Sequence, residues 1–479
     1  MPYEHGVRIK ENPTSLPIPA ESEAGVPVIF GTAPVNLASD PAHATNQLFL
    51  CESFADAVEA LGYSDDWASY TLCEAMYAFF KKYAIGPVVF CNVLDPTSDK
   101  AAYTEATALT LSGGVAKGTA KGVIISTLTA KDDNNDDLTI GTDYTVSFDD
   151  EGYPVYTVTK SGVTTITPSG YKLDPTAVSA SDIVGSYNSS TGVSTGIEMV
   201  REVWPKFSKV PGLLLAPKFS ATAIVGAALQ AKCEDINGKW QCECVLDLDT
   251  TTTVVYSAVE TAKNTAGYNS KHAICLWPKV KVDGKVMDYS AIYAAMVMTN
   301  DYENGDVPNL SPSNKPLAID ATVLADGTEV LLDQLQGNVL NGAGVVTAIN
   351  ENGFRSWGNN TAAYPENTDP KDRWICVRRF FSWWGNSFIR TYFEKVDDPT
   401  NFRLIESIVD SENVRGNSLK SQGKCAGIRM EYNAGDNPIT SIINGHIVFR
   451  QYLAPYTPAE DILNTLEFDP SMIEAELGG

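Results

Sequence analysis

Val26-Pro-Val-Ile-Phe-Gly-Thr32, then an amphipathic run over 67–83, then Pro87-Val-Val-Phe-Cys-Asn-Val93, decide the fold class. The two short apolar runs lack polar alternation, so they read as strands buried on both faces. Between them Ser53 stands where an N-cap belongs, ahead of a helix ending near Leu61. The run over 67–83 places Leu72, Met76, Phe79 and Phe80 at helical spacing. Strand, helix, strand is the start of an open α/β sheet.

Working outward, the same alternation resumes well downstream. Gly212-Leu-Leu-Leu-Ala-Pro217 reads as a strand, 221–232 as a helix, 242–248 as a strand, 255–266 as a helix and 273–277 as a strand. Asp283-Gly284 makes a two-residue hairpin turn, 289–298 a helix and 344–349 a strand. The interruption, 98–195, is rich in Thr, Ser, Gly and Asp and has no Trp, Cys or Met. Its segments 144–148, 153–159 and 163–167 read as a β-meander. The expected plan is a mixed α/β, multi-domain chain. It comprises an extended arm at 1–25, a discontinuous α/β domain at 26–97 and 196–350, and an inserted β-domain at 98–195. A C-terminal α+β domain at 351–458 and a tail at 459–479 complete it.

Net charge is −24 and the sequence pI about 4.5, which argues against nucleic acid or an anionic membrane as main partner. Acidity is uneven: residues 371–430 carry 11 Lys and Arg against 7 Asp and Glu, so that window is +4 and the remainder −28. Nine scattered cysteines, an odd number, fit buried thiols in a reducing compartment. The first residues show no signal-peptide pattern, and no apolar run is long enough to span a membrane.

Motifs for chemistry are thin. His5, His43, His272 and His446 are never four residues apart, so helical metal pairs are absent. Cys242-Glu-Cys244 puts two thiols on one strand face, without a second pair to complete a zinc site. Gly337-Asn-Val-Leu-Asn-Gly-Ala-Gly344 is Gly-rich but matches no phosphate-binding pattern. Asp132-Asp-Asn-Asn-Asp-Asp137 has the composition of a calcium loop without its glycine and terminal glutamate, and reads as a solvated turn. No catalytic, cofactor or metal residue is expected. An α/β enzyme and a monomeric adhesin built on the Thr-rich insert are the alternatives from other classes.

The densest aromatic and basic segment follows Asp369. Val377, Phe380, Phe381, Trp384, Phe388 and Tyr392 recur at spacings of three and four, as a helix's core face does. Arg378, Arg379 and Arg390 are left over. Pro399 ends this helix, and a second one presents Leu404, Ile405, Ile408 and Val409 inward and Arg403, Glu406 and Asp410 outward. Basic residues return at Arg415, Lys420, Lys424 and Arg429, and strands are expected at 428–432 and 446–453. A basic face on an acidic subunit suits an acidic protein partner. Solvated helix faces are the plainer alternative.

Several stretches resemble the contractile tail sheath proteins of tailed bacteriophages and phage-tail-like bacteriocins (tailocins). They are His5-Gly-Val-Arg-Ile-Lys-Glu11, Gly25-Val-Pro-Val-Ile-Phe-Gly-Thr-Ala-Pro34, Trp204-Pro-Lys-Phe207 and Pro211-Gly-Leu-Leu-Leu-Ala-Pro217. Further along come Gly353-Phe-Arg-Ser-Trp-Gly-Asn-Asn-Thr-Ala-Ala-Tyr-Pro365, Ile408-Val-Asp-Ser-Glu-Asn-Val-Arg415 and Gly445-His-Ile-Val-Phe-Arg-Gln-Tyr-Leu-Ala-Pro455. The resemblance implies a structural subunit and no enzyme. Such subunits stack as homo-hexameric rings around an inner tail tube and meet baseplate and tail terminator proteins. They are assembled in the host bacterial cytoplasm and contract to drive the tube through a bacterial envelope. It further implies tube-facing residues, mapped here to Arg403, Arg415, Lys420 and Lys424. Inter-subunit arms map to Val7, Arg8, Ile9 and Lys10 and to Ile462, Leu463, Leu466 and Phe468. The sheet that accepts them maps to Ile428, Met430, Ile447 and Phe449.

Overall fold

The computed structural model describes residues 20–21 and 24–478. Val7, Arg8, Ile9 and Lys10, with most of the expected N-terminal arm, lie outside the described residues. An eight-stranded sheet organises the rest. Its strands are β1 (Val26–Gly31), β2 (Leu48–Cys51), β3 (Val88–Asn92), β4 (Pro211–Leu215), β5 (Glu243–Asp247), β6 (Ala273–Leu276), β7 (Val345–Asn350) and β8 (Phe354–Trp357). They lie in the order β8-β7-β6-β5-β4-β1-β3-β2. All neighbours run parallel except the two edge strands, β8 against β7 and β2 against β3. Val28 lies between Leu214 and Val89, and every residue of β1 is buried, as its unbroken apolar run requires.

Helices cover both faces. Ser53 and Asp56 form a reciprocal capping box on Phe54–Leu61. The run read as one helix over 67–83 starts only at Thr71, and its second half, Tyr77–Lys82, is π-helical. Helix α1 (Tyr289–Glu303) is buried almost all round, which explains why it shows no polar face. The Gly-rich stretch from Gly337 falls mostly in a helix, Gln334–Gly342, started by a capping box between Asp333 and Gln336. Gly337 is needed there because a Cβ would meet Trp357 Cδ1 at 2.9 Å. At the other end of the body, Gly25 crosses Gly212 so closely that a Cβ on Gly25 would lie 2.7 Å from the Gly212 Cα.

The chain leaves the sheet after β3 to build a separate β-structure with its own core of Tyr103, Val123, Ala130, Leu138, Tyr144, Tyr156 and Ile166. Tyr144–Phe148 pairs with Pro154–Val158 as expected, but the third strand does not continue a meander. Thr165–Leu173 instead pairs with Lys100–Thr104, Leu109–Thr110 and Thr129–Lys131. That pairing brings the two ends together: Asp174 N–H donates to the Asp99 carbonyl at 2.9 Å. Residues 174–195, expected within the insert, pack on the main core through Val178 and Ile183. The Asp132 turn is a side-chain-capped turn, with Asp132 accepting from Asn134 and Asp136 N–H.

Two long helices and a strand pair follow. They are α2 (Ile375–Tyr392), α3 (Phe402–Ser421), β9 (Cys425–Glu431) and β10 (Arg450–Pro455). β9 and β10 form an antiparallel two-stranded sheet with Ile428 opposite Leu453. Beyond Pro455 the chain has no regular structure until a short helix, Pro470–Glu476. Pro470 does not oppose that helix. It sits at the first helical position, where its missing N–H costs nothing, and Asp469 caps the turn.

Candidate assembly surface

α2 is amphipathic as its spacing predicts, yet its arginines do not form an outer basic face. Arg378 and Arg379 are both buried. Arg379 grips Asp301 at the end of α1 through both terminal nitrogens, with Nη1 donating to Oδ1 at 3.1 Å. Burial pushes the Asp301 carboxyl up while Arg379 pulls it back. One turn on, Ser382 Oγ donates to Glu243 Oε1 at 2.7 Å, and His272 Nδ1 stands 3.6 Å from the same carboxylate. Asn386 exchanges two hydrogen bonds with the backbone of Gln241. A line of buried polar contacts therefore fastens α2 to α1 and β5. The +4 window is partly an internal matter, since Arg378 meets Asp372 and Arg379 meets Asp301 below the surface.

Of the residues mapped as tube-facing, Arg403 and Lys420 are exposed on α3. Arg415 turns inward: it pairs with buried Glu412 at 3.2 Å and lies 3.8 Å over the Trp384 ring. Lys424 also turns inward and donates to the backbone and side chain of Asn304. Sequence spacing could not separate these pairs, because Trp384 and Asn304 are far away in the chain. α3 also exposes Phe402 and Val414, each about 70% accessible (70% and 69%), which the helical-face reading had not singled out.

The strand pair differs from expectation at one end. β10 begins at Arg450, so Ile447 and Phe449 precede the strand; Phe449 packs its ring against Tyr432 instead. Ile428 and Met430 are buried against α3. Asn413 takes both backbone groups of Met430, accepting from its N–H at 2.9 Å and donating to its carbonyl at 3.1 Å. α3 thus closes the outer edge of β9. The far edge of β10 pairs with no strand among the described residues. No sequence signal marks Asn413 for this role.

Ile462, Leu463, Leu466 and Phe468 project into solvent at 84%, 86%, 86% and 80% exposure. From 459 to 479 the chain carries six Asp and Glu and no Lys or Arg. A row of naked apolar side chains on an acidic strip is costly to leave in water, at about 1.5–3 kcal/mol per large side chain. Its root is held where Arg373 meets Glu460 at 2.7 Å.

Among the described residues no group of three His, Cys, Asp or Glu side chains could hold a metal ion. Cys242 is paired with Cys233, 3.5 Å sulfur to sulfur, rather than with Cys244, and burial pushes both of the paired thiols up. No described helix is long and apolar enough to cross a membrane.

Comparison with known proteins bears on what such a surface is for. No protein-family model matches the chain. Over its whole length, however, it is 27% identical to the tail sheath protein of Burkholderia phage BcepMu, covering 99% of that protein. Along its whole length the chain is similar to a phage tail sheath protein. A further relative is the major tail sheath protein of Serratia phage KSP20, 27% identical over 44% of this chain and 55% of that protein. The tail sheath protein of Escherichia phage P2 is 24% identical over 60% of this chain and 70% of its own length. The fold recurs in contractile injection systems. A chain of the anti-feeding prophage baseplate superposes with a TM-score of 0.60 at 15% identity, over 97% of this chain and 98% of that one. A chain of the PVC extracellular contractile injection system sheath complex, in its contracted state, gives 0.57 at 16% identity, over 98% and 99%.

Proposed function

We propose that this chain is the repeating subunit of a contractile sheath, stacking as hexameric rings around an inner tube and contracting to drive that tube through a bacterial envelope. The observation that carries the reading is the C-terminal strip. Four large apolar side chains stand in water on a segment without a core, while β10 has an edge that pairs with no strand among the described residues. Adding a neighbour's extended segment to that edge satisfies backbone groups on both and removes apolar surface from water. A contact between different surfaces of identical subunits repeats without closing on itself, which builds a tube.

In this reading the N-terminal residues Val7, Arg8, Ile9 and Lys10 serve as a second arm, and the exposed Arg403 and Lys420 face an acidic tube. The 98–195 segment is peripheral, the baseplate and a tail terminator meet the ends, and the particle is a phage tail or a tailocin assembled in a bacterial cytoplasm. The test is the 1–459 truncation. It should melt as the full chain does and sediment as a subunit, with no tubes under the electron microscope. Tubes from that truncation would refute the linking role of the tail.

A further inference from the structure

Arg373 is held by more contacts than a surface ion pair needs. Its Nε–H donates to Asn360 Oδ1 at 2.9 Å, and its guanidinium lies 3.9 Å from the Trp374 ring and 4.4 Å from the Tyr364 ring. These contacts fix the plane of the group and leave an outer nitrogen, Nη2, to meet Glu460 Oε2 at 2.7 Å. Exposed ion pairs contribute little, in part because two flexible side chains must be ordered to make them. Here the arginine is ordered already, so only the glutamate must be fixed. The glutamate lies five residues beyond Pro455, in a stretch whose members Pro458, Ala459 and Asp461 line the same cleft. Two residues later Ile462 is 84% exposed.

We propose that Arg373 is a preformed carboxylate receptor for Glu460, and that this latch sets where the linking arm begins. With the latch closed the arm departs after Asp461. With it open the arm departs at the end of β10 and gains about six residues, roughly 20 Å of extended chain. The latch therefore fixes the arm's reach, and with it which neighbouring edge the arm can meet. It rests on the sheath reading for its purpose, but its existence belongs to the single subunit.

The test uses the unassembled full chain. All nine native thiols are buried, so introduced cysteines can be spin-labelled selectively. Labels at Glu351→Cys and Asp461→Cys should give a narrow distance distribution in the parent and a broad one in both R373A and E460Q. A label at Leu466→Cys, paired with Glu351→Cys, should be broad in all three. E460Q alters only the tail, so it remains informative if R373A is unstable. A broad parent distribution at 461, or one unchanged by either substitution, would overturn the latch without touching the sheath reading. A narrow one at 466 would overturn the assigned start of the arm.

Discussion

The Arg379 guanidinium and the Asp301 carboxylate face each other two nitrogens to two oxygens, both side chains under 10% exposed, at 8% and 5%. They join α2 to α1, the helix packed on the main sheet. Removing one partner leaves the other charged and buried. R379A should cost about 3–5 kcal/mol. The double change R379M/D301L should cost clearly less, since no orphaned charge remains. Urea midpoints of the three proteins decide this. Equal losses would mean that packing, rather than charge, makes this joint.

A second buried cluster should make stability depend on pH. Glu74, Asp247 and Asp288 converge near Lys279, which pairs with Asp288. Burial first, and the Asp288 charge second, push Asp247 up to about 7 and Glu74 well above its ordinary value. Both folded-state shifts are upward, so the stability linked to them is complete below the unfolded pKa values near 4 and is lost as pH rises toward and through 7. The midpoint of unfolding should fall across that window. D247N should flatten the fall, and denaturation curves at pH 5 and pH 8 measure it.

Replacing residues 100–173 with a short Gly-Ser linker should leave a soluble subunit with a cooperative melt. The bond between Asp174 and Asp99 shows that the linker has almost no distance to span. In the sheath reading the shortened protein still builds tubes. Sedimentation and electron microscopy answer both parts.

Arg403 and Lys420 should behave differently from Arg415. The charge reversal R403E/K420E should leave melting within about 0.5 kcal/mol of the parent, as exposed substitutions do. It should also weaken co-sedimentation with an acidic tube, and parent binding should weaken with salt. R415E places a carboxylate beside Glu412 and over Trp384, so it should lower melting first. A tube affinity indifferent to R403E/K420E would remove these residues from the interface.

Much of the body was legible in the sequence because its signals are local. Val26–Gly31 is an unbroken apolar run, Ser53 and Asp56 stand three apart, and Asp283-Gly284 can hardly be other than a turn. What failed depended on distant partners. Nothing local explains Gly337 inside a helix; the reason for a bare Cα there is Trp357, twenty residues on. The third insert strand went to Lys100–Thr104 rather than to its sequence neighbour, a choice that local pattern does not encode. At the assembly surface, the two helices and the acidic apolar tail were readable. The inward turn of Arg415 and Lys424, and the closing of β9 by Asn413, were not, because each is set by a tertiary contact.

The crossing of Gly25 over Gly212 has a mechanical consequence. The chain passes directly from Gly25 into β1, which lies between β4 and β3 with both neighbours parallel to it. Tension on the N-terminal side first loads the short pairing of Ala20–Glu21 with Ile85–Gly86, then runs along a central strand, in shear, and loads the ladder bonds on both flanks together. Tension from the C-terminal side first meets the Arg373–Glu460 contact and then reaches an edge strand of a two-stranded sheet. The two ends of this subunit are unequal as tow points: the first pulls on the keel of the fold, the second on a fitting attached to it.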